Sequence, residues 1–119
     1  MILVDTSVWI DHLHKTHPHL VAALERDDVA THPFVIGELA CGSIANRNEV
    51  LHLLSALPTI TVATDDEVLL VIERHGLMGR GIGYIGAHLI TSVMLTENAR
   101  LWTADKRLHE IAASLGIAI

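Results

Sequence analysis

Three acids stand in stretches of the chain where little else is charged: Asp5, Glu38 and Asp105. Asp5 is the only formally charged residue in Met1–Ile10, and Glu38 the only one in Pro33–Ala45. A carboxylate in apolar surroundings is costly unless a partner compensates it. The basic residues (Lys15, Arg26, Arg47, Arg74, Arg80, Arg100, Lys106 and Arg107) lie elsewhere in the sequence. A bound cation would supply the compensation, and hard Mg²⁺ or Mn²⁺ prefers oxygen ligands. We therefore expect the three carboxylates to converge in one pocket. Glu38 should be largely hidden beside Phe34, Val35 and Leu39, with no arginine as its main partner. Each acid also has a purely structural reading. Asp5 can cap a helix starting at Ser7, Glu38 can pair with an arginine across the core, and Asp105 can complement a helix dipole.

The elements that would carry these acids alternate between strand and helix. Ile2–Val4 is a short apolar run that ends in Asp5-Thr6-Ser7, which is helix-cap chemistry. A helix then runs to about His14, and Pro18 opens another that reaches about Asp27. Val29–Thr31 reads as a strand, and Pro33–Cys41 as a helix stopped by Gly42. Asn46–Leu57 is helical by the spacing of its leucines, and Thr59–Val62 is β-branched and strand-like. Asp65–His75 is a helix with acids in its first turn, and Gly76–Gly83 a glycine-rich loop. Tyr84–Thr96 is an almost uncharged, hence buried, helix. Arg100–Thr103 is a strand, Asp105–Leu115 a helix, and Ile117–Ile119 a last strand.

Strands separated by helices need crossovers, so the class is α/β: three layers, with a mostly parallel central sheet flanked by helices. In such sheets ligands bind outside the carboxyl ends of the strands. Asp5 and Asp105 each follow a strand, and so point to one edge.

With 119 residues the chain is expected to be one domain spanning 1–119, with a radius of gyration of roughly 13–14 Å. Half of its residues are apolar but 3% are aromatic, so Leu, Ile, Val and Ala must build the core. One cysteine, Cys41, excludes an internal disulfide and fits a reducing compartment. No secretory signal is visible, and the longest uncharged stretch, Gly81–Thr96, is too short to span a bilayer. A soluble, cytoplasmic protein without a membrane partner is expected. A net charge of −6 argues against a broad basic face coating a duplex, though nucleic acid can still enter an acidic pocket that metal neutralises. No HExxH or Cys/His zinc spacing occurs, and His12, His14, His17 and His19 read as solvated surface.

The segments MILVDTSVWIDHL, THPFVIGELACGS, GRGIGYIGAHLITSVML and ARLWTADKRLHEIAASLGI together resemble the PIN-domain nucleases, most closely the VapC toxins of bacterial toxin–antitoxin pairs. The resemblance covers essentially the whole chain. It implies a PIN-like fold and a Mg²⁺-dependent endoribonuclease (Mn²⁺ being an alternative ion) that cuts RNA needed for translation. It further implies a cognate VapB-type antitoxin and a homodimer. Asp5, Glu38 and Asp105 match the first, second and fourth family carboxylates, and Thr6, Ser7 and Thr103 resemble the hydroxyl residues that support them. The third carboxylate is missing: GYIGAHL has Gly86 where relatives carry aspartate.

Glycine inside a helix costs up to about 1 kcal/mol relative to alanine, and a first turn favours an acid. An inactivating substitution therefore competes with a helix packed too tightly for a side chain. Arg80, Arg100 and Arg107 are candidates for holding RNA phosphates. The rival reading is a catalytically silent module that binds an antitoxin without cutting RNA. A haloacid-dehalogenase-type phosphatase is disfavoured, because its second aspartate would fall at Ser7. Exposed apolar surface on Ser7–His14, Pro18–Asp27 and Pro33–Cys41 is expected to mark association.

Overall fold

A computed structural model describes residues 1–119. In chain order the elements are β1 (Ile2–Val4), α1 (Thr6–His14), α2 (Pro18–Glu25), β2 (Val29–Ala30) and α3 (Pro33–Cys41). They continue with α4 (Arg47–Ala56), α5 (Asp65–His75), α6 (Gly83–Met94), β3 (Arg100–Trp102) and α7 (Lys106–Ser114). The strands form one parallel sheet in the order β2-β1-β3, flanked by the helices. The fold is α/β, as the alternating pattern demands, and its radius of gyration is 13.8 Å.

The central strand explains the layering. Successive side chains of a strand point to opposite faces, and Leu3 and Val4 are both fully buried. Helices must therefore cover both sides of the sheet. Leu20, Val35, Leu39, Leu89, Ile90, Leu101 and Ile111 close around them in one aliphatic core. Helix α6 is buried without interruption from Gly86 to Val93, which accounts for its lack of charge. Helix α5 starts with a capping box between Thr64 and Glu67, and Gly76 ends it in the left-handed region.

Two expected strands are not formed. Thr59–Val62 contributes one bridge, Thr31 to Thr59, and the C-terminal segment one bridge, Leu101 to Ala118. Thr61 and Val62 are exposed and unpaired, because the chain leaves the sheet edge after Ile60 donates to the Thr31 carbonyl. β-Branching alone does not make a strand where the neighbouring ladder is two residues long.

Register does the work that matters for the site. Leu3 pairs with Leu101 and Val4 with Trp102, and the Asp5 amide donates to the Trp102 carbonyl at 2.9 Å. Asp5 and Thr103 thus emerge side by side at the carboxyl edge.

Candidate active site

Asp5 is the hub of this edge, and only 8% of it is exposed. Its Oδ1 accepts from the Thr6 amide at 2.8 Å. Its Oδ2 accepts from Thr103 Oγ1 at 2.7 Å and from Ser7 Oγ at 2.9 Å. Three donors from two elements therefore fix the carboxylate in place. Asp5 is also the N-cap of α1, so the capping reading holds together with the site reading.

The other two acids join this hub through hydroxyls. Thr6 Oγ1 donates to Glu38 Oε1 at 2.9 Å, linking α3 to α1. Thr103 Oγ1 accepts from the Asp105 amide at 3.1 Å, while Asp105 Oδ1 caps α7 by accepting from the Leu108 amide at 3.0 Å. The Ala104 amide donates to Ser7 Oγ at 3.0 Å and closes the loop. Glu38 has no arginine partner, but the expectation that it is hidden was wrong, since it is exposed. Val35 and Leu39 form the buried stripe of α3, and Phe34, Gly37, Glu38 and Cys41 form the opposite one. An apolar helix sequence concealed an outward face.

Gly86 lies in α6, buried, with ordinary helical backbone rather than a positive φ. A Cβ there would meet Ile82 Cβ at 3.3 Å and Leu108 Cδ1 at 3.4 Å. The first contact is tight and the second is the end of a flexible side chain, so a Cβ would require only small shifts. Neither backbone conformation nor a blocking main chain demands glycine at this position. Gly86 and the Asp105 cap share Leu108 as a neighbour.

The donor set is oxygen only, which suits a hard divalent cation in kind. It falls short in arrangement: no three His, Cys, Asp or Glu side chains stand close enough to hold a metal ion. As folded, these residues do not form a complete cation site.

Arg100, one of the three arginines considered for phosphate binding, starts β3 and donates to the Ala118 carbonyl at 3.3 Å. It sits at the amino edge of the sheet, away from the acids.

Two further polar networks were almost without sequence signal. His32 is fully buried at the N-cap of α3, where its Nδ1 accepts from the Phe34 amide at 3.0 Å. Its Nε2 faces Ser92 Oγ at 3.2 Å, and Ser92 Oγ also accepts from the Ala63 amide. Burial, reinforced by the neighbouring His88, pulls the His32 pKa down to about 4. In the second network Tyr84 Oη donates to Asp65 Oδ1 at 2.7 Å, and His88 Nε2 contacts the same oxygen at 3.0 Å. The Tyr84 bond, then that of His88, lowers the Asp65 pKa, while Asp65 raises that of Tyr84. The i, i+4 spacing of Tyr84 and His88 on α6 was the one available hint.

Comparison with known proteins agrees with this architecture. Residues 2–114 match the PIN domain family. The chain is 51% identical over 119 residues to Ribonuclease VapC32 of Mycobacterium tuberculosis strain CDC 1551 / Oshkosh, covering 100% of this chain and 96% of the relative. The same figures hold for Ribonuclease VapC32 of strain ATCC 25618 / H37Rv. A parallel sheet with a hydroxyl-braced aspartate at its carboxyl edge, and full-length similarity of this degree, lead to one assignment: the chain belongs to the PIN domain family, among proteins of the VapC kind.

Proposed function

We propose that this chain is the toxin of a type II toxin–antitoxin pair: a metal-dependent endoribonuclease acting on RNA needed for translation, its cleavage impaired by Gly86. The observation that carries the reading is the Asp5 cluster, with Thr6, Ser7 and Thr103 as its supports, in a chain 51% identical to a named ribonuclease. The reaction is hydrolysis of an RNA phosphodiester. In a site completed by an acid at position 86, a divalent ion of the Mg²⁺ or Mn²⁺ kind would supply an acidified water and neutralise charge on the phosphate. The chain's own part is to hold three carboxylates at the sheet edge. Asp5 is fixed by three donors, Glu38 is tethered through Thr6, and Asp105 is carried on the α7 cap.

Gly86 leaves that set one acid short. Loss of a single supporting contact at a metal site costs about 10–100-fold, and loss of a direct ligand at least as much. The second reading, a silent antitoxin-binding module, is favoured by one observation, the absence of any three-ligand group.

Partner surfaces support the same assignment. Trp9, Leu13, Leu24, Leu53 and Leu57 line an apolar groove of about 330 Å³ between α1, α2 and α4, which suits the apolar face of an antitoxin segment. The outward stripe of α3 with Ile85 is the candidate face for a homodimer.

The test is made in the Gly86→Asp background, with single-stranded RNA and Mg²⁺. Cleavage that appears there, and disappears on adding Asp5→Asn or a chelator, supports the reading. Cleavage that survives Asp5→Asn overturns the site, and no cleavage in any variant overturns the activity.

A further inference from the structure

We infer that His12 is the polar anchor of the apolar groove between α1, α2 and α4, where it receives a carboxylate from the apolar face of a partner helix. The inference deepens the antitoxin reading of that groove and rests on it. Leucine and valine make up the walls, apart from Trp9 and His12. The Trp9 indole N–H is fully enclosed, so His12 supplies the one polar side chain that a docked segment can meet. His12 Nδ1 accepts from the His17 amide at 3.0 Å across the α1–α2 turn. Burial, then the neighbouring His17, lowers the pKa of the ring, which is therefore uncharged at about pH 7. A neutral imidazole whose Nδ1 accepts carries its hydrogen on Nε2. That Nε2–H has no partner within the chain and is not enclosed. The groove wall thus offers one side-chain donor of fixed tautomer, and no side-chain acceptor.

Two arguments identify the group that meets this donor. A helix laid in the groove bonds its backbone carbonyls internally up to its last turn, so the acceptor must come from a side chain. An apolar side chain placed over Nε2–H would strand the donor at the full cost of its desolvation. The second argument is charge. From His12 to Leu20 the chain holds Lys15 and four histidines and no acid, although its net charge is −6. His14, Lys15 and His19 are exposed around the α1–α2 turn. The run expected to be solvated surface is therefore a basic rim, with His12 half-buried in the groove wall. A carboxylate complements that rim, and its charge-assisted bond is stronger than one to a neutral amide oxygen. The occupant is thus an amphipathic helix with one Asp or Glu set among its apolar residues.

The probes are labelled helical peptides with leucines at i, i+4 and i+7, made in pairs that differ only by Glu or Gln at one position scanned along the apolar face. Binding is read by fluorescence anisotropy at about 0.15 M salt, where distant rim charges are screened. The chain should bind the best Glu peptide about 5-fold more tightly than its Gln twin, the margin of a charge-assisted over a neutral hydrogen bond. His12→Asn keeps an oxygen able to accept from the His17 amide but places no donor at the Nε2 position. It should stay folded and lose the preference for Glu. His12→Gln, whose amide reaches that position, should recover part of it. Leu53→Glu should weaken binding of both peptides at least about 10-fold. Equal binding of the Glu and Gln peptides, or a Glu preference unchanged in His12→Asn, overturns the inference. The groove reading survives that result if Leu53→Glu still blocks both peptides. If no peptide binds, or Leu53→Glu has no effect, the groove reading falls and takes the inference with it. A change of oligomeric state in Leu53→Glu would assign the groove to a second copy of this chain, and would equally overturn the inference.

Discussion

Protonating His32 should unfasten the helix that carries Glu38. The Nδ1 lone pair of this ring caps α3 by accepting from the Phe34 amide. In the neutral ring Nε2 therefore bears the hydrogen and donates to Ser92 Oγ. An imidazolium has no lone pair left, so the cap is lost and a charge is buried without a partner. The native ring has a pKa of about 4 against an ordinary 6.5. Between those values the unfolded chain takes up a proton that the native chain refuses. Stability therefore falls as pH drops below about 6.5, with the full loss reached near pH 4. At about 1.4 kcal/mol per unit the gap amounts to about 3 kcal/mol. Urea unfolding across this range measures it. His32→Asn keeps an amide oxygen able to cap α3 but cannot titrate, so its stability should be lower near pH 7 and flatter below it. The lowered pKa of His12, from burial and then His17, remains in both proteins and cancels in the comparison. If His32→Asn and the parent lose stability in parallel as pH falls, the cap argument is refuted.

Thr103→Val removes a donor to Asp5 and the acceptor of the Asp105 amide in a buried setting. It should cost about 1–3 kcal/mol in urea unfolding. Tyr84 is the only tyrosine, so ultraviolet titration reads its phenol directly, and Asp65→Asn should bring its raised pKa back towards 10. Leu53 is 67% exposed in the apolar groove, and Leu53→Glu should weaken capture of the cognate antitoxin at least tenfold while leaving the unfolding midpoint unchanged.

What the sequence reveals about the site follows from local chemistry. A strand ending in Asp5-Thr6-Ser7 announces a capped helix at a sheet edge, and the β1–β3 register completes it with Thr103. The exposure of Glu38 was not legible, since the apolar residues of α3 divide into two opposite stripes and composition cannot say which one packs. Thr59–Val62 misleads for a related reason: strand propensity cannot reveal that the adjoining strand is too short to pair with it. The contact between His32 and Ser92 joins residues 60 positions apart, and tertiary packing alone creates it.

On the proposed reading, one missing carboxylate, at Gly86, separates this chain from an efficient ribonuclease. The decisive measurement is the initial rate of cleavage of one RNA at one Mg²⁺ concentration, for the parent and for Gly86→Asp purified identically. Because a Cβ at this position needs only small movements of Ile82 and Leu108, both proteins should fold, and circular dichroism verifies that they do. The rate should be at least about 10-fold higher for Gly86→Asp, in line with the value of a single metal-site contact. Equal rates from the two folded proteins would contradict it.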